Sequence, residues 1–220
     1  MKTTLSSSHL SINVAGETLS LLPEKAICWQ KENTLILSDL HLGKVGHFRK
    51  SGIPVPTGIL PADLIRLQKI ILAHNPDRLL ILGDMFHSLY NREIEFFRSW
   101  RNGFAELEIL LVQGNHDIIS RDDYFSLGIQ VIKSHTEGPF HFKHDPAEYP
   151  EGLFTISGHI HPGVRLMGKG RQSLRLPCFY FEERLGILPA FSRFTGMALI
   201  NGSRKGNVYA ILEDKVMEVK

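Results

Sequence analysis

The chain opens with short runs in which apolar and polar residues alternate. Leu10-Ser11-Ile12-Asn13-Val14 and Thr18-Leu19-Ser20-Leu21 flank Ala15-Gly16-Glu17, which predicts a hairpin with a glycine-containing turn, and Ala26-Ile27-Cys28-Trp29 predicts a third short strand. Continuous apolar runs follow at Leu35-Ile36-Leu37, Leu79-Leu80-Ile81-Leu82, Ile109-Leu110-Leu111-Val112 and Phe154-Thr155-Ile156, each the length of a buried strand. Helical spacing fills the gaps between the first three. Leu64, Leu67 and Ile71, with Ile65 and Leu72, form a stripe that starts after Pro61 and ends near Asn75-Pro76; Ile94, Phe97, Trp100, Arg101 and Phe104 mark a second amphipathic helix. Strand-helix-strand-helix-strand order builds a parallel sheet. After Gly128 the texture shifts to β-like runs at 129–132, 139–142, 153–156, 176–181, 197–200, 208–212 and 216–219, so antiparallel pairing is expected to dominate the second half.

Polar residues with metal-binding chemistry follow the apolar runs. Ser38-Asp39-Leu40-His41, Gly83-Asp84, Gly114-Asn115-His116-Asp117 and Gly158-His159-Ile160-His161 each begin where a strand-like run ends. In open α/β sheets that edge is where ligands bind, because rigid strands present loops that carry polar groups. Asp, His and Asn held there can share donors between two divalent cations, the arrangement that activates water against a phosphate ester. A carboxylate suits the shared position, since its charge offsets repulsion between two dications. Mixed oxygen and imidazole donors suit manganese, iron, zinc or nickel, with manganese the first expectation, whereas calcium would take oxygens only. With no cysteine among the candidates, a structural zinc is disfavoured.

Composition narrows the field without changing it. At 220 residues, with 43% hydrophobic and 22% charged, the chain reads as a single globular domain, residues 1–220, large enough to fold without disulfides. Its formal net charge of +2 neither demands nor excludes an anionic partner, so any nucleic-acid preference must be local. Cys28 and Cys178 lack metal-site spacing and read as buried thiols. No apolar stretch approaches a membrane span, so no membrane partner and a cytoplasmic location are expected. Residues 44–61 hold many glycines and prolines and read as a long loop leaving the first motif.

In chain order these blocks resemble the calcineurin-like metallophosphoesterase superfamily, whose pattern is D-x-H, GD, GNH followed by an acid, a single His and GH-x-H. The resemblance implies an α/β fold, a four-layer αββα sandwich of two mixed β-sheets flanked by helices, with two divalent metal ions at the sheet ends. It implies Asp39, His41 and His161 on one metal, Asn115, His144 and His159 on the other, and Asp84 bridging. His116 would assist the leaving group or stabilise phosphoryl charge, oriented by Asp117, while a water shared by the two ions attacks phosphorus. For the single-His block, His144 sits at a strand-to-turn junction before Asp145-Pro146, and His141 is its rival.

Further runs, Asp39-Leu40-His41-Leu42-Gly43-Lys44, Gly83-Asp84-Met85-Phe86-His87-Ser88, Leu188-Pro189-Ala190-Phe191 and Phe194-Thr195-Gly196, are similar to those of the bacterial ligase-associated DNA-damage-response endonucleases or phosphodiesterases. That similarity implies DNA or a small phosphodiester as substrate and association with a DNA ligase, a helicase and an exonuclease. Lys44 and Arg49, with Lys50, could neutralise neighbouring phosphates, Phe48 could stack on a base, and His87 could touch substrate. Lys169, Arg171, Arg175, Arg193 and Arg204 form further basic positions. The alternatives are a nucleotide or small-diester hydrolase, a lipid-precursor pyrophosphatase, which would want an apolar cap helix, and a non-catalytic binding scaffold on the same fold.

Overall fold

The computed structural model describes residues 9–42, 59–86, 92–168, 172–200 and 206–219. The expected hairpin forms as β1 (Leu10–Val14) and β2 (Glu17–Leu22), followed by β3 (Ala26–Trp29) and β4 (Thr34–Ser38). From β4 onward the chain alternates, through α1 (Ile59–His74), β5 (Arg78–Leu82), α2 (Arg92–Asn102), β6 (Glu108–Val112), α3 (Arg121–Ser126) and β7 (Ile129–Ile132). These strands make one seven-stranded sheet in sequence order, antiparallel from β1 to β4 and parallel from β4 to β7.

The remaining strands build a nine-stranded mixed sheet. They are β8 (His135–Glu137), β9 (Phe140–Phe142), β10 (Phe154–Ser157), β11 (Pro162–Met167), β12 (Ser173–Phe181), β13 (Leu185–Ile187), β14 (Ala198–Leu199), β15 (Asn207–Leu212) and β16 (Lys215–Val219). Antiparallel pairs outnumber parallel ones, as the sequence predicts, but β10 runs parallel to both β9 and β13. That exception positions the site, because parallel neighbours end on the same edge.

Three hydrophobic layers follow from the strand alternation. One face of the first sheet, with Leu35, Leu37, Leu79, Ile81, Ile109 and Leu111, packs on Leu67 and Ile71 of α1, Phe97 of α2 and Tyr124 of α3. Its other face, with Ile36, Leu80, Leu82 and Leu110, meets Phe140, Phe142, Ile156 and Phe179 of the second sheet. Trp29 sits edge-on to Phe140 with ring centroids 5.0 Å apart, locking β3 to β9 across that layer. The outer face of the second sheet closes over a smaller cluster that includes Val164, Cys178, Tyr180 and Val208.

The two mixed sheets are as expected, and one flanking layer of helix covers the first sheet. The described helices pack on the first sheet, while β11–β12, β12–β13 and β15–β16 of the second are antiparallel neighbours that need no helical crossover between them. Helix α1 begins at Ile59, ahead of the expected start at Pro61. Cys28 and Cys178 are buried free thiols, as predicted.

Candidate metal centre

Carboxyl ends of strands from both sheets converge on one edge. Asp39 follows β4, Asp84 follows β5, Asn115 follows β6, His144 follows β9 and His159 follows β10. The parallel register of β4, β5 and β6 brings the first three loops level, and backbone bonds from His41 N to Asp84 O (2.8 Å) and Leu42 N to Met85 O (2.8 Å) carry the pairing past the strand ends. Within the second sheet, Gly158 N donates to His144 O at 3.2 Å, which ties the two second-sheet loops together.

Local backbone shape is unusual at the candidate ligands. Asp39, His41, Asp84, His159 and His161 all have left-handed φ, between 46° and 67°. Such a conformation costs a non-glycine residue on the order of 1 kcal/mol or more, and it persists only where the surroundings impose it. The glycines of the motifs explain part of that imposition. A Cβ on Gly83, whose φ is 80°, would land on the His144 imidazole, and one on Gly114 would land on the Asp84 carboxylate. The glycines are therefore the gaps into which neighbouring ligands fit.

The donor atoms then meet in a mostly buried cluster. Asp39 Oδ1 lies 3.2 Å from His161 Nε2, and neither atom has a hydrogen-bond partner. Asp84 sits between two sets: its Oδ2 is 3.7 Å from His41 Nε2 and its Oδ1 is 3.5 Å from His144 Nε2. His144 Nδ1 donates to the Leu82 carbonyl at 2.9 Å, which turns Nε2 toward Asn115 Oδ1 and His159 Nδ1, each at 3.1 Å. Two groups, Asp39 with His41 and His161, and Asp39 with Asp84 and His144, each bring their donor atoms within 4.8 Å of one another. Lone-pair-bearing oxygen and nitrogen atoms crowded this way in a buried site are satisfied by a cation, so the residues fit divalent metal ions.

Charge follows the same geometry. Burial works to raise the Asp39 carboxyl, but His161 beside it and His144 nearby outweigh that and hold it below the ordinary carboxylate range. Asp39, His41, Asp84 and His144 are buried, His159 and His161 are half-buried, and Asn115 and His116 are exposed. The centre thus opens toward solvent on the Asn115–His116 side, and the His116 ring stands 5.8 Å from that of His41.

Asp117, expected to orient His116, reaches the backbone of two loops. Its Oδ2 accepts from the N–H groups of Asp84 and Gly114 (2.8 Å each), and its Oδ1 accepts from Met85 N (2.8 Å), Phe86 N (3.4 Å) and the Tyr124 hydroxyl (2.8 Å). The carboxylate staples the Gly83-Asp84 turn to the Gly114-Asn115-His116 loop. Beside the expected orienting of His116, it holds the Asp84 turn through the backbone, a link that sequence reasoning missed because that turn lies some thirty residues away. Burial raises the Asp117 carboxyl and, together with Asp117, pushes the Tyr124 phenol up, keeping it a neutral donor.

Of the rival histidines, His144 enters the cluster and His141 does not. On β9, Phe140 and Phe142 face the core, so His141 faces away and meets Thr136 Oγ1 at 2.9 Å. Lys44, Arg49 and His87, with His47, Phe48, Lys50, Lys169, Arg171 and Arg204, lie outside the described residues. Arg175 stands opposite Arg165 on the β11–β12 ladder, whereas Arg193 joins His161 in lining one cleft. A larger cleft of about 520 Å³ opens elsewhere, lined by Ile12, Val14, Phe154, Glu182, Arg184 and Tyr209; it lies at the amino end of β10, away from the convergent donors.

Comparison with known proteins agrees with this architecture. No curated protein matches the chain. Among solved structures, the nuclease MPE of Pseudomonas putida is 31% identical, with a TM-score of 0.83, over 96% of this chain and 100% of that one. A phosphoesterase of E. coli, Yfce, is 13% identical with a TM-score of 0.42, over 84% of this chain and 97% of that one. Residues 33–161, which span every candidate ligand, match the calcineurin-like phosphoesterase family. The chain belongs to that family and is a metal-dependent phosphodiester hydrolase.

Proposed function

We propose that the chain is a dinuclear phosphodiesterase acting on DNA, in a single domain spanning residues 1–220. The observation that carries this reading is the Asp84 carboxylate, whose two oxygens face histidines of two different ligand sets, His41 and His144. Asp39, His41 and His161 would hold one ion, Asn115, His144 and His159 the other, and Asp84 both. When bound, such a pair acidifies water and offsets charge on the phosphoryl oxygens.

The chain's own residues supply the rest. A water oxygen bonds to phosphorus and sheds a proton to solvent as the ester P–O bond opposite it breaks, while His116, exposed at the mouth, gives its proton to the departing oxygen and is reprotonated from solvent. Products are a phosphomonoester and an alcohol. Asp117 and Tyr124 keep the His116 loop and Asp84 in register. A nucleic-acid substrate is supported by the Pseudomonas putida nuclease, which is similar over nearly the whole chain, and DNA is the proposed one. Lys44, Arg49 and His87 remain proposed substrate contacts, a DNA ligase, a helicase and an exonuclease proposed functional partners, manganese the proposed metal and the cytoplasm the proposed location. No described helix is long and apolar enough to cross a membrane. Among the described residues the element that follows the His116 loop is the six-residue α3, too short to form an apolar cap helix, which disfavours a lipid-precursor substrate.

Hydrolysis of bis(p-nitrophenyl) phosphate tests the chemistry. It should require added manganese and vanish with a chelator; turnover indifferent to metal removal would refute the mechanism. His116→Ala should retain the metals and slow turnover by about 10²–10⁴-fold, the usual contribution of a general acid.

A further inference from the structure

Two clefts adjoin the candidate centre, one from each proposed ligand set. The first, about 330 Å³, is lined by Asn115, His144 and His159 together with Lys133 and Lys143. The second, about 130 Å³, is lined by His161 together with Lys25 and Arg193. His159 lines the first cleft and His161 the second, with the exposed Ile160 between them in the chain. Each cleft therefore pairs candidate metal ligands with two side-chain cations.

Two of those cations, one in each cleft, are tethered to backbone carbonyls. Lys143 Nζ donates to the Glu148 carbonyl at 3.1 Å, and Lys25 Nζ donates to the Ser192 carbonyl at 3.3 Å, which fixes both ammonium groups in place. Around the second cleft, Lys25, Arg66 and Arg193 surround the buried Asp63, whose Oδ1 is 3.1 Å from Arg66 and 3.9 Å from Arg193. Within the second cleft itself Lys25 and Arg193 meet no carboxylate among the described lining residues, while Glu24, Glu213 and Asp214 line the adjoining one. Burial, with repulsion from Arg66, lowers Lys25 to about 8, so at neutral pH it is still an ammonium held among like charges. In the first cleft Lys133 and Lys143 face only Asp145 among the lining acids. Since the chain's formal net charge is just +2, this is a local concentration of positive charge beside the centre.

We propose that the two clefts hold the phosphates on either side of the scissile one in a nucleic-acid strand, Lys133 and Lys143 taking one neighbour, Lys25 and Arg193 the other. The assignment rests on the phosphodiesterase reading above and extends it to the residues that distinguish a polynucleotide from a small diester. Ammonium and guanidinium groups recognise phosphate oxygens by charge-assisted hydrogen bonds, independent of base identity. The second cleft takes a single phosphate. Beyond Lys25, Pro177 and Arg193 the adjoining surface carries Glu24, Glu213 and Asp214, which repel the next one.

The test compares an end-blocked single-stranded oligonucleotide with bis(p-nitrophenyl) phosphate, using Lys133→Gln/Lys143→Gln and Lys25→Gln/Arg193→Gln proteins of verified metal content. In each, the ratio of kcat/KM on the oligonucleotide to kcat/KM on the small diester should fall at least tenfold. Lys133→Gln and Arg193→Gln alone, both at exposed side chains, should each lower it several-fold, which guards against a misfolded double variant. A neutral methylphosphonate placed on one side of the scissile linkage should lower the wild-type ratio similarly and silence the substitutions of one cleft only. An unaltered ratio in the variants, or a methylphosphonate that silences neither cleft, would overturn the assignment. Wild-type protein inert on the small diester would instead overturn the phosphodiesterase reading beneath it.

Discussion

Asp117 shows how one side chain can govern a site without joining it. Its two oxygens satisfy four backbone N–H groups and the Tyr124 hydroxyl, all buried except the half-buried Gly114 N–H. Removing an acceptor from buried donors costs about 1–3 kcal/mol for each group stranded. Asp117→Ala should therefore destabilise by well over about 2 kcal/mol, and Tyr124→Phe by about 1–3 kcal/mol, read as lower denaturation midpoints at unchanged slope. The milder Tyr124→Phe protein should keep its metals. Residue identities at the centre were largely legible in the chain: strand-end placement marked Asp39, Asp84, Asn115 and His159. Asp117's partners were not, because hydrogen bonds between distant loops leave no local signature. Nor were Lys25, Lys133 and Lys143, which become neighbours of the centre only when two sheets stack.

At the scale of elements, periodicity located what was long and regular. The β4-to-β6 run with its helices emerged as expected, since each strand is a continuous apolar run. Short or glycine-containing pieces escaped: β13 is only Leu185-Gly186-Ile187, β11 starts at Pro162-Gly163, and α3 is six residues started by a Ser120 cap. Such pieces owe their conformation to neighbours more than to their own pattern. Leu80 of β5 is fully buried between the sheets, and Leu80→Ala should cost about 2–5 kcal/mol in chemical denaturation. The β2–β3 turn carries a pH signature. Lys25 there is lowered to about 8 by burial, while in the unfolded chain a lysine titrates near 10.4. Between these values the unfolded state holds more protons, so this residue makes stability rise with pH from about 8 to 10. Lys25→Met should flatten that rise in denaturation midpoints measured across the range.

The whole molecule works as a two-sheet wedge that delivers loops to one edge. The inter-sheet layer of Leu, Ile and Phe, with Trp29 against Phe140, fixes the distance between first-sheet and second-sheet ligands. Neither sheet alone holds the full set: Asp39, Asp84 and Asn115 come from one, His144 and His159 from the other. Metal removal should accordingly lower the thermal midpoint, since ions bound across the layer stabilise the stacked state by mass action. The central claim is that Asp84 joins two ions into one centre, and electron paramagnetic resonance of the manganese-loaded protein tests it most directly. Two ions per chain with an exchange-coupled spectrum, replaced in Asp84→Ala by an uncoupled one or by loss of metal, is the predicted result; an isolated-ion spectrum in the saturated wild-type protein would contradict it.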